Sequence, residues 1–287
     1  MTGTKRRGTK LGIGERRAVV IGVGALAWLV GLVWIFPVAW TVLTSFKTED
    51  DAAAQTLHQG LSFGRYSDVS HSTQGTLSLQ SAFTNSLVVV AVSTTIVMLL
   101  ALPAAYALAI RPIHKWRDVL FFFISTKFLP IVASIFPIYV YAEKWNLIGT
   151  RTVLIILYIA INLPLAIWML RSFFKEIPRE LIEAAEIDGT NLYNQLRTVI
   201  LPIAAPGIAA TALLCVIFAW NEYFYALQLN FANASTMPEW VTSNVSTRGN
   251  FLAKLSAASV LACLPVVIAG WATQKRMIRG LSMGALK

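Results

Sequence analysis

Charge is scarce in this sequence. Only 13% of its 287 residues are Asp, Glu, Lys or Arg, while 56% are hydrophobic and the mean hydropathy is +0.63. A soluble domain of this size needs more polar surface, so the composition excludes one and places the chain in a membrane. Cysteine is also rare. Cys215 and Cys263 both fall in apolar runs without the spacing of a metal or redox site, so both read as packing thiols. The histidines, His58, His71 and His114, are scattered in loops. No paired carboxylates, histidine cluster or nucleophile constellation stands with them, which argues against a membrane enzyme. A nucleotide site is missing as well: the nearest match, Gly3-Thr4-Lys5-Arg6-Arg7-Gly8, puts Thr9 where a P-loop requires lysine and has no strand before it. There is no internal repeat and no low-complexity tract.

What the sequence does have is six apolar stretches: Ala18 to Phe46, Leu87 to Ile110, Val119 to Ala142, Thr152 to Leu170, Ile203 to Leu229 and Leu255 to Gln274. Each is near or above the roughly 18 to 20 residues that cross about 30 Å of hydrocarbon. An isolated strand could not satisfy its backbone in lipid, so an all-α polytopic fold of six transmembrane helices is expected. The first stretch has 29 uncharged residues, too many for a signal-peptide core, and carries Trp34, Phe36 and Trp40 where cleavage needs small residues. It reads as a retained helix. Residues 1–17 then form a basic segment and residues 18–287 one transmembrane domain.

The basic residues orient the helices. With the N-terminus inside, 17 of them fall on inner segments (Lys5, Arg6, Arg7, Lys10, Arg16, Arg17; Arg111, Lys115, Arg117; Arg171, Lys175, Arg179, Arg197; Lys275, Arg276, Arg279, Lys287). Six fall outside (Lys47, Arg65, Lys144, Arg151, Arg248, Lys254), and Lys127 lies within a span. This asymmetry puts both termini in the cytoplasm. The net charge of +10 is therefore topological and no sign of nucleic-acid binding, although the Lys5 to Arg17 cluster suits anionic lipid headgroups.

A polar inner loop of about 172–202 holds Glu183-Ala184-Ala185-Glu186-Ile187-Asp188-Gly189 and, eleven residues on, Leu201-Pro202. Pro178 suits a helix start, where its missing N–H has no partner, and Gly189 suits a helix stop at positive φ. Helical spacing gives Leu181, Ala184 and Ala185 one face, with Glu180, Glu183 and Glu186 elsewhere. A short amphipathic helix, a glycine stop and a second helix would make a docking surface.

Polar groups at depth mark a second region. Lys127 lies eight residues into the third span, about 12 Å from its inner end at 1.5 Å per residue, where an ammonium must face the bundle, pair with a carboxylate or snorkel. Asn162 sits midway through the fourth span beside Pro164. On the fifth, Phe218-Ala219-Trp220-Asn221-Glu222-Tyr223-Phe224-Tyr225 joins rings to an amide and a carboxylate. Rings stack on the apolar faces of a polyol or sugar while amides and carboxylates bond its hydroxyls, so Trp220, Asn221, Glu222 and Tyr223, with Asn162 and Lys127, are pathway candidates. The same residues also read as an interface belt, with Glu222 serving helix packing or a salt bridge to Lys127 or a partner subunit. Seven prolines in or beside the spans, including Pro37, Pro103, Pro130 and Pro206, predict kinks.

The spacing of Glu183-Ala184-Ala185, Gly189 and Leu201-Pro202 resembles the "EAA loop" of binding-protein-dependent ABC importer permeases. In Thr190 it departs from the alanine frequent after the glycine, where a small hydroxyl can cap the next helix. Together with Phe218 to Glu222 and the ending Arg279 to Lys287, the resemblance is to the smaller permease subunit of carbohydrate importers. Within them, Phe218 to Leu227 and Lys254 to Lys275 look most like the mannitol or sorbitol branch. The resemblance implies a type I ABC importer permease fold in a bacterial inner membrane. It implies coupling to an ATPase through Glu183, Ala184, Ala185, Asp188, Gly189, Leu201 and Pro202. The implied partners are a homologous second permease, a dimer of ABC ATPases that bind and hydrolyse ATP-Mg, an extracytoplasmic substrate-binding protein and a small carbohydrate, with no cofactor bound by this chain. The outer loop of about 230–253 corresponds to the one that meets the binding protein, through Pro238, Trp240 and Arg248; read from its residues alone it is a surface loop. The alternative from another class is an ion-driven secondary transporter using Glu222 and Lys127.

Overall fold

Apolar runs broken by polar turns fold into helices throughout. A computed structural model describes residues 13–55, 62–71, 78–111, 113–229, 234–243 and 251–284, and no strand occurs among them. The long helices are α1 (Ile13–Thr44), α4 (Leu79–Ala109), α7 (Arg151–Lys175), α10 (Leu201–Trp220) and α13 (Leu252–Gly284). Between them lie α2 (Glu49–Ala53), α3 (Gly64–His71), α5 (Trp116–Ser125), α6 (Ile131–Lys144), α8 (Arg179–Ile187), α9 (Leu192–Asn194), α11 (Phe224–Leu229) and α12 (Met237–Ser243). The first, second, fourth and sixth expected spans are realised in α1, α4, α7 and α13.

The other two expected spans are not straight helices. In place of one helix over Val119–Ala142, α5 and α6 meet at a break and are bent by 91°. Pro130 is the cause: it withdraws a backbone donor and holds Leu129 extended, at φ −65° and ψ 125°. The bent pair nevertheless crosses. Arg151 Nε donates to Asn85 Oδ1 (2.8 Å) at one end of the bundle, and Arg171 Nε donates to the Leu108 carbonyl (3.2 Å) at the other, so α4 and α7 run parallel. The chain between them must return from one end to the other, which makes six crossings.

The fifth span departs from Ile203–Leu229 at both ends. Helical backbone begins at Leu192 and passes through a π-helical segment, Gln195–Ile200, into α10. At its far end α10 stops at Asn221, because local side chains compete for the backbone. Asn221 Nδ2 donates to the Ile217 carbonyl (2.8 Å), while the Glu222 carboxylate accepts from the N–H groups of Tyr225 (2.9 Å) and Ala226 (3.3 Å) and so starts α11. Glu222 thus sits in a break rather than part-way along a continuous helix.

Two apolar clusters fill the bundle, one toward each end, labelled outer and inner after the topology expected from the basic residues. The outer one gathers Val89, Leu154, Tyr158, Trp220, Met237 and Trp240, and the inner one Val97, Leu108, Ile167, Leu170, Phe174 and Ile200. Small buried residues on α4, Ala82, Ser86, Ser93, Ala101 and Ala105, suit close packing against its neighbours, α7 foremost. Gly207 does the same for α10, since a Cβ there would fall inside the Phe173 ring of α7. In contrast, α1 between Val19 and Thr44 buries none of its most apolar stretch, and Trp28 and Trp34 are each 76% exposed.

Side chain to backbone bonds tie the outer end. The Glu49 carboxylate accepts from the N–H groups of Ala253 (3.1 Å) and Lys254 (3.0 Å), capping α13. Asn85 Nδ2 donates to the Ser235 carbonyl (2.9 Å), and Met237 N–H donates to Ser86 Oγ (2.8 Å). Glu239 accepts from Thr236 N–H (2.7 Å). Burial pushes its carboxyl up to about 7, although the Thr236 donors favour the ionised form.

Two outcomes are expected. Gly207→Ala should destabilise the bundle by about 1 to 3 kcal/mol through overpacking, read as a lower thermal midpoint in detergent; an unchanged midpoint would show that Phe173 turns aside freely. Between the ordinary carboxylate range and about pH 7, folded Glu239 retains a proton that the unfolded chain has released. The stability of residues 234–243 should therefore fall as pH rises from about 5 to 7 and level off above that. Hydrogen exchange of this segment should follow that slope and lose it in Glu239→Gln.

Candidate functional site

The inner loop forms as its punctuation dictates. Pro178 directly precedes α8, and Gly189 ends it at φ +73°. Gly189 N–H donates to the Glu186 carbonyl (3.0 Å) and Thr190 N–H to the Ala185 carbonyl (3.1 Å), the paired bonds of a Schellman stop. Thr190 serves this stop, because its hydroxyl also donates to the Ala185 carbonyl (2.6 Å). Capping of the next helix falls instead to Asn191, whose Oδ1 accepts from Asn194 N–H (2.9 Å).

The faces of α8 differ from the expectation in one respect. Ala184 and Ala185 do not share a face: Ala185 and Ile182 are buried, Ile182 within the inner cluster, whereas Ala184, Leu181 and Ile187 are exposed. Adjacent residues on a helix lie about 100° apart, so only one of the two alanines can face a partner. Ile187 is 87% exposed, and Leu192 and Tyr193 extend the apolar surface just beyond Gly189. Glu183 and Asp188 are exposed at its margin.

Two contacts fasten α8 to the bundle, and a third braces the helices beside it. The exposed Arg111 donates to Glu186 (2.6 Å), a bond that raises the pKa of its guanidinium. Buried Arg171 lies 4.1 Å from the centre of the Trp116 ring, joining α7 to α5. Gln195 is 1% exposed: its Nε2 donates to the Ile182 carbonyl (3.2 Å) and its Oε1 accepts from the Tyr106 hydroxyl (2.7 Å). None of these was legible beforehand, because a glutamine in an amphipathic stretch reads as solvent-facing. Leu201 and Pro202 begin α10 beyond the π-helical segment, with Pro202 in the first turn.

At the opposite end, the polar residues separate into held and open groups. Tyr158 donates to Glu222 Oε2 (2.9 Å), and Asn162 Nδ2 donates to the Tyr158 carbonyl (3.0 Å). Asn162 is buried with its Oδ1 unpartnered among the described residues. Trp220 donates from its ring to the Ala262 carbonyl (3.0 Å) and packs edge-on against Phe83, so it is a packing residue here. The Tyr225 and Ser134 hydroxyls share a hydrogen bond (2.8 Å) that links α11 to α6. Asn221 is exposed and Tyr223 half-buried beside them. Lys127 is exposed in the single 3-10 turn Thr126–Phe128 at the bend, and among the described residues it makes no ion pair with Glu222.

In the outer loop, Pro238 is half-buried, while Trp240 is 1% exposed and anchors α12 rather than presenting its ring. Arg248 lies outside the described residues.

The whole arrangement has close relatives. The chain is 30% identical over 275 residues to the trehalose/maltose transport system permease protein MalG of Thermococcus litoralis, spanning 94% of this chain and 97% of that one. It is 30% identical over 279 residues to the trehalose transport system permease protein SugB of Mycobacterium tuberculosis, spanning 96% and 100%. Its fold is similar, with a TM-score of 0.71 and 23% identity, to a chain in the crystal structure of a bacterial ABC transporter involved in the import of the acidic polysaccharide alginate, over 93% and 99% of the two. Residues 101–276 match the family described as the inner membrane component of binding-protein-dependent transport systems. With six crossings, a glycine-stopped inner helix and that match over more than half its length, the chain belongs to this family as a multi-pass, non-enzymatic permease of the inner membrane.

Proposed function

We infer that this permease imports a carbohydrate, that ATP-Mg bound and hydrolysed by two partner ATPases drives it, and that α8 is its coupling helix. The observation that carries the coupling assignment is the outward face of α8, where Leu181, Ala184 and Ile187 stand exposed around a side chain small enough for close approach. Exposed apolar surface on the charged inner loop suits a cleft in another protein. Glu183 at its margin is placed to meet a basic group there. The basic residues gathered on the side of α8 support a cytoplasmic position for it and for both termini. Closure of the ATPase dimer would move α8 and its counterpart on a second, homologous permease, and so expose the cavity to an extracytoplasmic binding protein.

The substrate class rests on relatives named for trehalose/maltose and trehalose transport, each matched over nearly the whole chain. The sugar-alcohol assignment rests on the resemblance of Phe218–Leu227 and 254–275. Asn221, Tyr223 and Lys127, which are not fully buried, are the pathway side chains on this reading. Glu222, Tyr158 and Asn162 hold the outer break in shape behind them. An ion-driven cycle fits less well, because the Glu222 carboxylate is already engaged by Tyr158 and two backbone N–H groups. Around α12, half-buried Pro238 is the binding-protein contact on this reading, while Trp240 secures the loop.

Coupling is tested in the complex reconstituted with its ATPases, second permease and binding protein. Ala184→Trp should weaken ATPase docking by about one to two decades. Gly189→Val should uncouple by another route, since a β-branched residue at positive φ costs about 1 to 2 kcal/mol, whereas Gly189→Asn should be tolerated. Glu183→Ala should lower stimulated hydrolysis without loss of folded bundle. Normal hydrolysis and uptake in Ala184→Trp, Gly189→Val and Glu183→Ala would remove α8 from the coupling role. For the pathway, Asn221→Ala and Tyr223→Ala should change uptake rate or substrate range in a normally assembled complex. Unchanged rate and range in both would return these residues to the interface belt.

A further inference from the structure

A coupling helix can act only on what it is fastened to. Besides the short covalent link back to α7 and the Arg111–Glu186 pair, two routes lead from α8 into the bundle. One follows the chain through Gly189 and α9 into the π-helical segment Gln195–Ile200 and so to α10. The other leaves the chain at Gln195, whose amide bridges the Ile182 carbonyl of α8 and the Tyr106 hydroxyl of α4. The two routes differ in stiffness. A π-helical turn has wider spacing and poorer hydrogen bonds than an α-helix, and it lies after Gln195, between the bridge and α10. The bridge is 1% exposed and uses both ends of one side chain. The Arg111–Glu186 pair beside it has side chains 51% and 46% exposed and is too well solvated to be the main tie.

We propose that Gln195 is a positioning residue for coupling: it delivers displacement of α8 to α4, and with it α7, rather than along its own chain to α10. The pair α4 and α7 is suited to receive it, being parallel, closely packed through small residues and fixed to each other at both ends by Arg151–Asn85 and Arg171–Leu108. This inference rests on the coupling role assigned to α8.

The test compares Gln195→Met, Tyr106→Phe and the double variant with Ala184→Trp in the full reconstituted complex. Assembly, thermal midpoint and the ratio of binding-protein-stimulated to basal ATP hydrolysis are measured for each. Gln195→Met leaves the Tyr106 hydroxyl without its acceptor, and Tyr106→Phe removes the same bond with less disturbance should the first variant assemble poorly. Both should lower the stimulated-to-basal ratio, by about tenfold for Gln195→Met, while basal hydrolysis persists. In the double variant neither partner of the Tyr106–Gln195 bond is left unpaired, so the part of the thermal midpoint lost to the stranded hydroxyl should recover. The ratio should stay low. Recovery of both together would make Gln195 a packing residue and overturn the proposal, as would an unchanged ratio in Tyr106→Phe. If Ala184→Trp also leaves the ratio intact, the coupling role of α8 has failed. If only Ala184→Trp lowers it, that role stands and the Gln195 route is wrong.

Discussion

The hydrocarbon interior offers a backbone no water, so every interruption of a helix there must supply its own partners. This requirement shapes the bundle more than any single packing contact. At Leu129–Pro130 the proline removes one of the donors that the bend would strand. At Asn221–Tyr223 the chain spends a carboxylate: Glu222 takes two N–H groups of α11 and a tyrosine hydroxyl, and Asn221 folds back onto Ile217. The breaks are therefore ordered structures. They re-aim helices at two points, α5 to α6 and α10 to α11, which Ser134 and Tyr225 then join.

Polar ties concentrate at the two ends of the bundle. At the outer end, Glu49, Asn85 and Ser86 bond the backbone around α12 and the start of α13; at the inner end, Gln195 and Arg171 bond carbonyls of α8 and α4. Between these ends, α4 and α7 meet mainly through alanines, serines and aliphatic side chains. Dispersion contacts of that kind are individually weak and tolerate small sliding motions that a buried hydrogen bond resists. A bundle built this way has firm ends and a more compliant middle.

Much of this was readable in the residues, and the failures share a cause. Long apolar runs specify spans, and the Pro178 and Gly189 punctuation specifies α8, because both signals are local. The right-angle bend at Pro130 was legible only as a kink, since the angle depends on what α5 and α6 pack against. Ala184 and Ala185 differ in exposure because the orientation of α8 is set by Gln195 and by the inner cluster. Glu222 was read by its charge and depth, and its engagement by α11 became visible only once the helix was seen to stop. Trp240 followed the same pattern: aromatic character marked it for contact, and its burial against the outer cluster made it an anchor. Tertiary hydrogen bonds to Tyr106 and Tyr158 carried no sequence signal.

The exposure of α1 bears on how the protein is made. Between Val19 and Thr44 its most apolar stretch holds no fully buried residue, and it comes before the other spans of this sequence. Its insertion therefore depends on no later segment: it can leave the ribosome, cross the bilayer and settle its direction from flanking charge while the rest is still untranslated. The five remaining crossings, which do need one another, then assemble against an orientation already decided. Biogenesis thus separates into an autonomous first step that sets direction and a cooperative second step that builds the bundle.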